Sequence, residues 1–209
     1  MNPIHTIGYS GVKIDEFIDH LVANHCTIVC DVRSYPSSRY RPEFSRAEFK
    51  RSLNSRGLKY AFFGDALGAR PKDRSCYLGG RAEYDRISKQ DIFKEALNRL
   101  QSGSKVSGLA LVCSEADPIE CHRAILVSRH LASLVPDIRH IHSNGRIETH
   151  QDLEERLIDL YGTAPPPLLR TEAERNEGIR LAYRKQGDAI SYSEGGEWSR
   201  NETVHDRLH

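Results

Sequence analysis

Short apolar runs alternate along this chain with segments in which apolar residues recur every three or four positions. The runs lie at residues 4–8, 27–32, 58–63, 109–112 and 138–141. Runs of this length are typical of buried strands, and the spacing between them is typical of amphipathic helices. We therefore expect an α/β fold: a doubly wound, mainly parallel five-stranded sheet with helices on both faces and a C-terminal helical extension.

The pattern changes after Gly162, where three successive prolines follow closely. We expect an α/β domain over residues 1–162 and a C-terminal extension over residues 163–209. Residues 171–185 of the extension predict one polar helix, and residues 193–209 predict a partly disordered, solvated tail. The apolar side chains with which that helix would dock are Leu181, Ala182 and Tyr183.

Several local signals mark where helices begin. Ser45 with Glu48, and Thr149 with Asp152, have the three-residue spacing of a helix cap and its reciprocal partner. Residues 64–87 carry few such signals and predict a long irregular segment, which in a compact domain is usually functional or mobile.

A stronger signal follows the apolar run at 109–112. Asp117 is a favourable helix cap, Pro118 suits the first helical position, and Glu120 lies three residues after the cap. This pattern predicts a helix that contains Cys121 in its first turn. The positive end of a helix dipole favours anions and lowers the pKa of a nearby thiol.

Composition narrows the classes of protein. The formal net charge of the 209 residues is only +1, which argues against general coating of nucleic acid but allows a local basic patch. No apolar run is long enough to span a membrane, and the first residues lack a secretory signal. The five cysteines are an odd number and are scattered, so we expect reduced thiols, a cytoplasmic protein and no membrane partner.

Polar side chains follow the predicted strands, at the edge where open α/β sheets bind ligands. The candidate catalytic residues are Asp31, Glu115 and Cys121. The candidate substrate-binding residues are Tyr9, Ser10, Arg33, Ser38, Arg39, His122 and Arg123. We expect Asp31, Arg33, Glu115 and Arg123 to converge on one cleft.

Each candidate has two interpretations. Asp31 and Glu115 could act as base and acid while Arg33 and Arg123 hold phosphate. Alternatively, these two acids and two arginines form a buried ion-pair network. A lone histidine in a helix start, such as His122, is more often a hydrogen-bonded packing residue than an acid–base catalyst.

The cysteines carry a similar choice. Cys121 could be a nucleophile or a small buried residue, and Cys113 fits the core because it ends an apolar run. With His122 the two sulfurs could ligate zinc, but their Cys-x7-Cys-His spacing lacks the short pairs of structural zinc sites. We therefore expect no metal site, and the sequence does not specify a cofactor.

The segment from Arg33 to Lys59 is strongly basic, with eight Lys or Arg and two Glu, a local charge of +6. Tyr35, Tyr40 and Phe44 are interleaved with the arginines. Arginine with aromatic side chains is typical of binding to phosphate and stacked bases. Neither a phosphate-binding Gly-x4-Gly-Lys-Ser/Thr loop nor a Gly-x-Gly-x-x-Gly fingerprint occurs.

Three motifs together resemble a prokaryotic family. They are Thr6-Ile7-Gly8-Tyr9-Ser10, Asp31-Val32-Arg33 with Pro36 and Ser38, and Cys113-x-Glu115-x-Asp117-Pro118 followed by Cys121-His122-Arg123. Over roughly residues 4–161 the chain resembles domain-of-unknown-function family 488. The family name implies no settled activity.

Three functions follow from these residues. The first is an enzyme, a hydrolase or transferase, acting on a phosphate-bearing nucleotide, nucleoside or nucleic acid. The second is a thiol-dependent enzyme that uses Cys121, which an exposed sulfur would favour. The third is a non-catalytic module that binds nucleic acid or another partner.

Overall fold

Eight strands occur in this computed structural model, which describes residues 1–194. In chain order they are β1 Ile4–Gly8, β2 Ile28–Asp31, β3 Lys59–Phe62, β4 Tyr77–Leu78, β5 Arg81–Ala82, β6 Leu109–Cys113, β7 Ile138–Ile141 and β8 Ile147–Thr149. Six of them form the central sheet, in the order β3-β2-β6-β1-β7-β8, and β4 and β5 pair as a separate antiparallel hairpin.

The predicted α/β class is confirmed, with one more strand than expected. The first five strands of the sheet order run parallel, whereas β8 pairs antiparallel with β7. β8 has only three residues and leads directly into a helix, so it has no apolar run of its own. β8 pairs with β7 and lies at the edge of the sheet.

The helices account for most of the remaining chain. The α-helices are α1 Ile14–Ala23, α2 Arg46–Ser55, α3 Gly64–Leu67, α4 Tyr84–Ile87, α5 Asp91–Ser104, α6 Arg129–Leu131, α7 His150–Tyr161 and α8 Glu172–Ile190. Short 3-10 turns lie at Pro42–Phe44, Arg74–Cys76, Pro118–Glu120 and Pro167–Leu169, and a π-helix spans Arg123–Ser128. Residues 64–87, expected to be irregular, therefore contain short helices and the hairpin.

Two apolar cores cover the two faces of the sheet, as strand geometry requires. Ile7 of β1 faces a core with Phe17 of α1 and Phe49 of α2. Ile4, three positions earlier on the same strand, faces a second core that contains Leu97 of α5 and residues of the π-helix. The helices after β1 and β2 thus lie on one face, and those before and after β6 lie on the other.

The two capping predictions had different outcomes. Thr149 and Asp152 form the reciprocal cap of α7, and Gly162 ends that helix in the left-handed conformation. The box predicted at Ser45 is wrong, because the Ser45 hydroxyl accepts a hydrogen bond from the Ser38 amide at 3.1 Å and makes no cap contact. The tertiary position of the preceding loop captures this side chain.

The helix predicted after Asp117 is also wrong in form. Asp117 caps a single 3-10 turn by accepting from the Ile119 amide at 3.0 Å. Cys121 then has extended backbone, with φ −132° and ψ 137°, and the π-helix follows. The hydroxyl of Ser128 donates to the Arg123 carbonyl at 2.8 Å, five residues back. Cys121 therefore lies between two helical segments rather than within one.

The C-terminal extension packs on the domain through α8. Ala182 and Tyr183 are buried, as predicted, and Leu181 is half-buried. The last described residues pair with the β4–β5 hairpin, where the Ala82 amide donates to the carbonyl of Tyr192. Most of the predicted tail, residues 195–209, lies outside the described residues. None of the helices in residues 1–194 combines the length and apolar character needed to cross a bilayer.

Candidate functional site

The carboxyl ends of β1 and β6 meet at the point where the chain leaves the sheet in opposite directions. β1 and β6 are neighbours, and Gly8 is level with Cys113. The chain goes from β1 to α1 on one face and from β6 to the π-helix on the other. In open α/β sheets this arrangement creates the crevice in which ligands bind.

Gly8 allows the two loops to touch. The Tyr9 amide donates to the Cys113 carbonyl at 3.2 Å, and the Ser10 amide donates to the Ser114 carbonyl at 2.9 Å. A Cβ at Gly8 would lie 1.7 Å from the carbonyl oxygen of Glu115. The absence of a side chain at this position therefore lets the Glu115 loop cross the end of β1.

Three predicted site residues form a compact cluster with Cys113 at this edge. The thiols of Cys113 and Cys121 donate to Oε2 of Glu115, with sulfur–oxygen distances of 3.1 and 2.9 Å. Nδ1 of His122 lies 3.6 Å from the Cys113 sulfur and 4.0 Å from the Cys121 sulfur. We call Cys113, Glu115, Cys121 and His122 the cysteine cluster.

Glu115 is the acid of the cluster and is held ionised. Burial alone would raise its pKa, but the thiol of Cys121, the nearby charge of His122 and the donors Cys113 and Ser114 lower the pKa to about 2. The Ser114 hydroxyl occupies the second oxygen, Oε1, at 2.7 Å. Glu115 is half-buried, so the carboxylate lies at the boundary between the protein interior and solvent.

Cys121 differs from its predicted state. Only 1% of the residue is exposed, and burial raises the pKa of its thiol well above the ordinary value, with Cys113 and Glu115 adding to the rise. The lowered pKa expected from a helix terminus is therefore wrong, because Cys121 lies outside the helix and faces a carboxylate. Cys113, interpreted as core, is indeed buried but is also part of the cluster.

Arg123 supports the loop from inside the protein. The residue is fully buried, and its Nη1 and Nη2 donate to the carbonyl oxygens of Glu115 and Ala116 at 2.6 and 3.0 Å. Its Nε has no partner among the described residues. These contacts fix the backbone beneath the Glu115 carboxylate.

Asp31 and Arg33 form a separate buried pair on the neighbouring strand. The guanidinium donates to both carboxylate oxygens, from Nε at 2.9 Å and from Nη2 at 2.6 Å, and the Tyr60 hydroxyl donates to Oδ2 at 2.8 Å. Arg33 also donates to the Phe44 carbonyl and lies over the Tyr9 ring. Asp31 and Arg33 thus satisfy each other.

The four side chains expected in one cleft therefore belong to two hydrogen-bonded groups. Within residues 1–194, Val32 connects the two groups, because its carbonyl accepts a hydrogen bond from Nε2 of His122 at 3.0 Å. Val32 lies between Asp31 and Arg33 in the chain. The ion pair and the cysteine cluster are thus adjacent at the sheet edge, but they do not share a hydrogen bond between side chains.

The other predicted binding residues surround this edge. Tyr9 is buried and its ring stacks on Phe44 with centroids 4.4 Å apart. Ser38 is half-buried, and its hydroxyl accepts from the Arg41 amide. Of this group, Ser10 and Arg39 are exposed to solvent.

Exposed arginines and aromatic rings form a rim on the loops after β2 and β3 and at the start of α2. Tyr35 and Tyr40 are 65% and 92% exposed. The Arg46 guanidinium lies 4.5 Å from the centroid of Phe62, and that of Arg70 lies 4.4 Å from the centroid of Tyr192. We call Tyr35, Arg39, Tyr40, Arg46 and Arg70 the basic rim.

A network that sequence reasoning missed anchors the site loop. Arg156 of α7 donates to both oxygens of Asp117 at 2.7 and 2.9 Å and to Glu148 of β8. Glu148 also pairs with His142 at 2.9 Å. The apolar pattern did not predict β8, which carries Glu148, and Asp117 lies far from Arg156 in the chain. The sequence therefore contained no signal for these contacts.

A buried hydrogen-bonded chain was missed as well. It runs from Thr6 to His140, from His140 to His150 and from His150 to the Tyr183 hydroxyl, with distances of 2.8, 3.0 and 3.0 Å. Burial lowers the pKa of His150 to about 4 and that of His140 well below its ordinary value. Both rings are neutral at pH 7, and each therefore donates one bond and accepts one.

Two cavities lie at the same sheet edge but beside α3. Their volumes are about 230 and 270 Å³. The first is lined by Phe62, Phe63 and residues of α5, and the second by Pro71, Lys72 and Cys76 among others. The residues of the cysteine cluster line neither of these two cavities.

The fold and site together define an α/β protein with a doubly wound sheet and a polar cluster at its topological switch point. Comparison with protein families adds one finding. The profile of the family described as domain of unknown function DUF488 matches residues 13–130, more than half of the chain, and the chain belongs to this family. Searches of curated proteins and of solved structures found no match.

Proposed function

We propose that this chain is an enzyme, a hydrolase or transferase, that acts on a phosphate-bearing nucleotide, nucleoside or nucleic acid at the carboxyl edge of its sheet. The observation that carries the proposal is the Glu115 carboxylate. It is ionised, half-buried and held by three side-chain donors at the crevice between β1 and β6. An oriented carboxylate of this kind can accept a proton or stabilise positive charge at a reacting atom.

Glu115 takes the catalytic role rather than Asp31. Both oxygens of Asp31 are occupied by Arg33 and Tyr60, and the residue is fully buried. A substrate would have to break that pair to reach it. Asp31 and Arg33 are therefore assigned to positioning, because they fix the Val32 carbonyl that holds His122.

The basic rim supports a phosphate-bearing substrate. Arg39, Arg46 and Arg70 are exposed and follow strands β2 and β3 at the edge that also carries Glu115. Guanidinium groups bind phosphate through paired hydrogen bonds, and the exposed rings of Tyr35 and Tyr40 provide faces for a base. We place the protein in the cytoplasm because its five cysteines are free.

Burial of the thiols weakens the alternative in which Cys121 is the nucleophile. Cys121 and Cys113 are 1% and 3% exposed, whereas attack on a substrate requires an accessible thiolate. In the favoured proposal the two thiols orient Glu115. The non-catalytic binding module remains as an outcome of the experiment below.

The test compares Glu115→Gln with Glu120→Gln, an exposed acid five residues later in the chain. Nucleoside monophosphates and a short single-stranded oligonucleotide are incubated with each protein, and released base or phosphate is measured by chromatography. Turnover that Glu115→Gln lowers at least about 100-fold and Glu120→Gln leaves unchanged supports the proposal. Binding without turnover in the unaltered chain contradicts catalysis and supports the binding module.

A further inference from the structure

Three atoms of metal-ligand type converge in the cysteine cluster. The sulfurs of Cys113 and Cys121 and Nδ1 of His122 all lie within 4.8 Å of one another. Zinc bonds sulfur at about 2.3 Å and nitrogen at about 2.05 Å, so a tetrahedral angle separates these two ligands by about 3.6 Å. The observed sulfur–nitrogen distances, 3.6 and 4.0 Å, match that separation closely.

The tautomer of His122 suits a ligand. Its Nε2 lies 3.0 Å from the carbonyl oxygen of Val32, and a carbonyl can only accept. When the ring is neutral, as metal binding requires, Nε2 carries the proton and Nδ1 presents a lone pair on the side of the two sulfurs. Metal-bound histidines in proteins commonly donate their other N–H in this way, which fixes the orientation of the ring.

The surroundings supply further features of a metal site. The Arg123 amide donates to the Cys121 sulfur at 3.4 Å, a contact that stabilises a thiolate. Oε2 of Glu115 lies 2.9 and 3.1 Å from the two sulfurs and therefore faces the same space as the three ligand atoms. The guanidinium of Arg123 binds the backbone of Glu115 and places positive charge near this carboxylate.

We propose that Cys113, Cys121 and His122 bind a single Zn²⁺ ion, with the Glu115 carboxylate beside the fourth coordination position. Binding displaces the two thiol protons to solvent, so that two thiolates and a neutral imidazole surround the ion. Three protein ligands with a carboxylate next to the fourth position are the arrangement of catalytic zinc. Zinc binding removes the protons of the two thiols that donate to Glu115, so the carboxylate is then held by the Ser114 hydroxyl and by the positive charge of the ion.

The chain spacing that argued against zinc has a structural explanation. Short cysteine pairs occur in sites built on one tight turn. Here Cys113 ends β6, a 3-10 turn at Pro118–Glu120 reverses the chain, and extended Cys121 returns its sulfur to the strand end. Two cysteines eight positions apart are thereby brought together without a short repeat.

Native mass spectrometry of the full chain with added Zn²⁺ provides the first measurement. We expect one adduct per chain whose mass equals the zinc ion minus two protons. An adduct that Cys113→Ser or Cys121→Ser leaves unchanged overturns the proposal. A chain purified under reducing conditions that takes up no zinc also overturns it.

Cobalt substitution tests the ligands directly. Co²⁺ bound by two thiolates gives a sulfur-to-metal charge-transfer band, which we expect to fall by about half in Cys121→Ser and to persist in the control Cys76→Ser, a buried cysteine outside the cluster. His122→Gln keeps both sulfurs and should weaken cobalt binding at least tenfold, which covers the case in which a cysteine variant does not fold. Equal binding by His122→Gln and the unaltered chain contradicts the assigned ligand set.

The two proposals fail in different ways. Glu115→Gln retains all three ligands, so it should keep the cobalt band while losing turnover. If the unaltered chain shows no cobalt band but its turnover depends on Glu115, the zinc site is contradicted and the proposed enzyme stands. If the band is present but turnover does not depend on Glu115, the zinc site stands and the proposed enzyme is contradicted.

Discussion

Asp31 and Arg33 are a charged pair enclosed by the protein, with exposed fractions of 0% and 5%. Because the pair is desolvated, removing one partner leaves an uncompensated buried charge, which typically costs about 3–5 kcal/mol. The Tyr60 hydroxyl also bonds to Asp31 and would lose its charged acceptor. The pair therefore contributes more to stability than an exposed ion pair does.

We predict that Asp31→Asn lowers the free energy of unfolding by about 3–5 kcal/mol, measured by urea denaturation. Glu48→Gln is the control, since Glu48 and its partner Arg51 are exposed and should contribute within about 0.5 kcal/mol. Adding Arg33→Met to Asp31→Asn should recover part of the loss. A decrease no larger than that of the control contradicts the assigned burial penalty.

Gly8 is a position where a single methyl group matters. Its Cβ would overlap the Glu115 carbonyl at 1.7 Å, and backbone hydrogen bonds from Tyr9 and Ser10 to Cys113 and Ser114 hold the two loops together. We predict that Gly8→Ala destabilises the chain by more than about 3 kcal/mol in thermal unfolding. Gly103→Ala, within α5, should change stability by no more than about 1 kcal/mol. Equal effects of the two substitutions would contradict the close approach.

At the scale of elements, α7 anchors the loop that carries the site. Arg156 binds the carboxylate of Asp117, which caps the 3-10 turn, and the nearly buried Glu148 of β8. About a third of the Arg156 side chain is exposed, so solvent screens part of this interaction. The network joins the last helix of the α/β domain to the turn before Cys121.

We predict that Arg156→Gln lowers the free energy of unfolding by about 1–2 kcal/mol and speeds amide hydrogen exchange at Ile119. Arg139→Gln is a matched control, because Arg139 pairs with Asp137 through two hydrogen bonds but both side chains are exposed. Unchanged exchange at Ile119 would show that Asp117 holds the turn without Arg156.

The C-terminal extension also stabilises the segment around the site. Gln186 of α8 donates to the Ile119 carbonyl at 2.8 Å, and Tyr183 bonds to His150. We predict that truncation after Gly162 exposes apolar surface and lowers the midpoint of thermal unfolding by several degrees relative to truncation after Glu194. Equal midpoints would show that residues 1–162 fold independently of α8.

For the whole molecule, buried neutral histidines make stability depend on pH. Burial lowers the pKa of His5 and His150 to about 4, while the unfolded chain protonates these rings near 6.5. Below pH 6.5 the unfolded state therefore binds more protons than the folded state. The contribution of these neutral rings to the free energy of unfolding is fully present above pH 6.5. It falls toward pH 4, by at most about 1.4 kcal/mol per pH unit for each ring.

We predict that His150→Gln reduces this slope between pH 6.5 and 4, measured by urea denaturation at each pH. The groups around His150 are His140, Tyr183 and Glu154, whose carboxylate lies 4.0 Å from Nε2. Burial raises the pKa of Glu154, which acts in the opposite direction, so only the difference between the variant and the unaltered chain isolates His150. If the free energy of unfolding of the two proteins changes equally with pH, the assignment of His150 as a neutral buried ring is contradicted.

Local sequence patterns predicted five strands of the sheet and the edge at which polar residues gather. Apolar periodicity located β1, β2, β3, β6 and β7, since burial on both faces of a parallel sheet requires continuous apolar runs. The Thr149 cap and Gly162 marked the ends of α7 for equally local reasons. The motif with Cys113, Glu115 and Cys121 lay at a strand end for the same reason.

Which elements lie side by side depends on the packing of segments that are far apart in the chain. The order β3-β2-β6-β1-β7-β8 places β6 beside β1, and nothing local in either strand encodes that pairing. Asp31 with Arg33, and Glu115 with Cys113 and Cys121, are partners close in the chain. The contact of His122 with the Val32 carbonyl joins these two groups and spans 90 residues, so it depends on packing between distant segments. The extended backbone of Cys121 and the raised pKa of its thiol follow from that packing, against the local helix signal at Asp117 and Pro118.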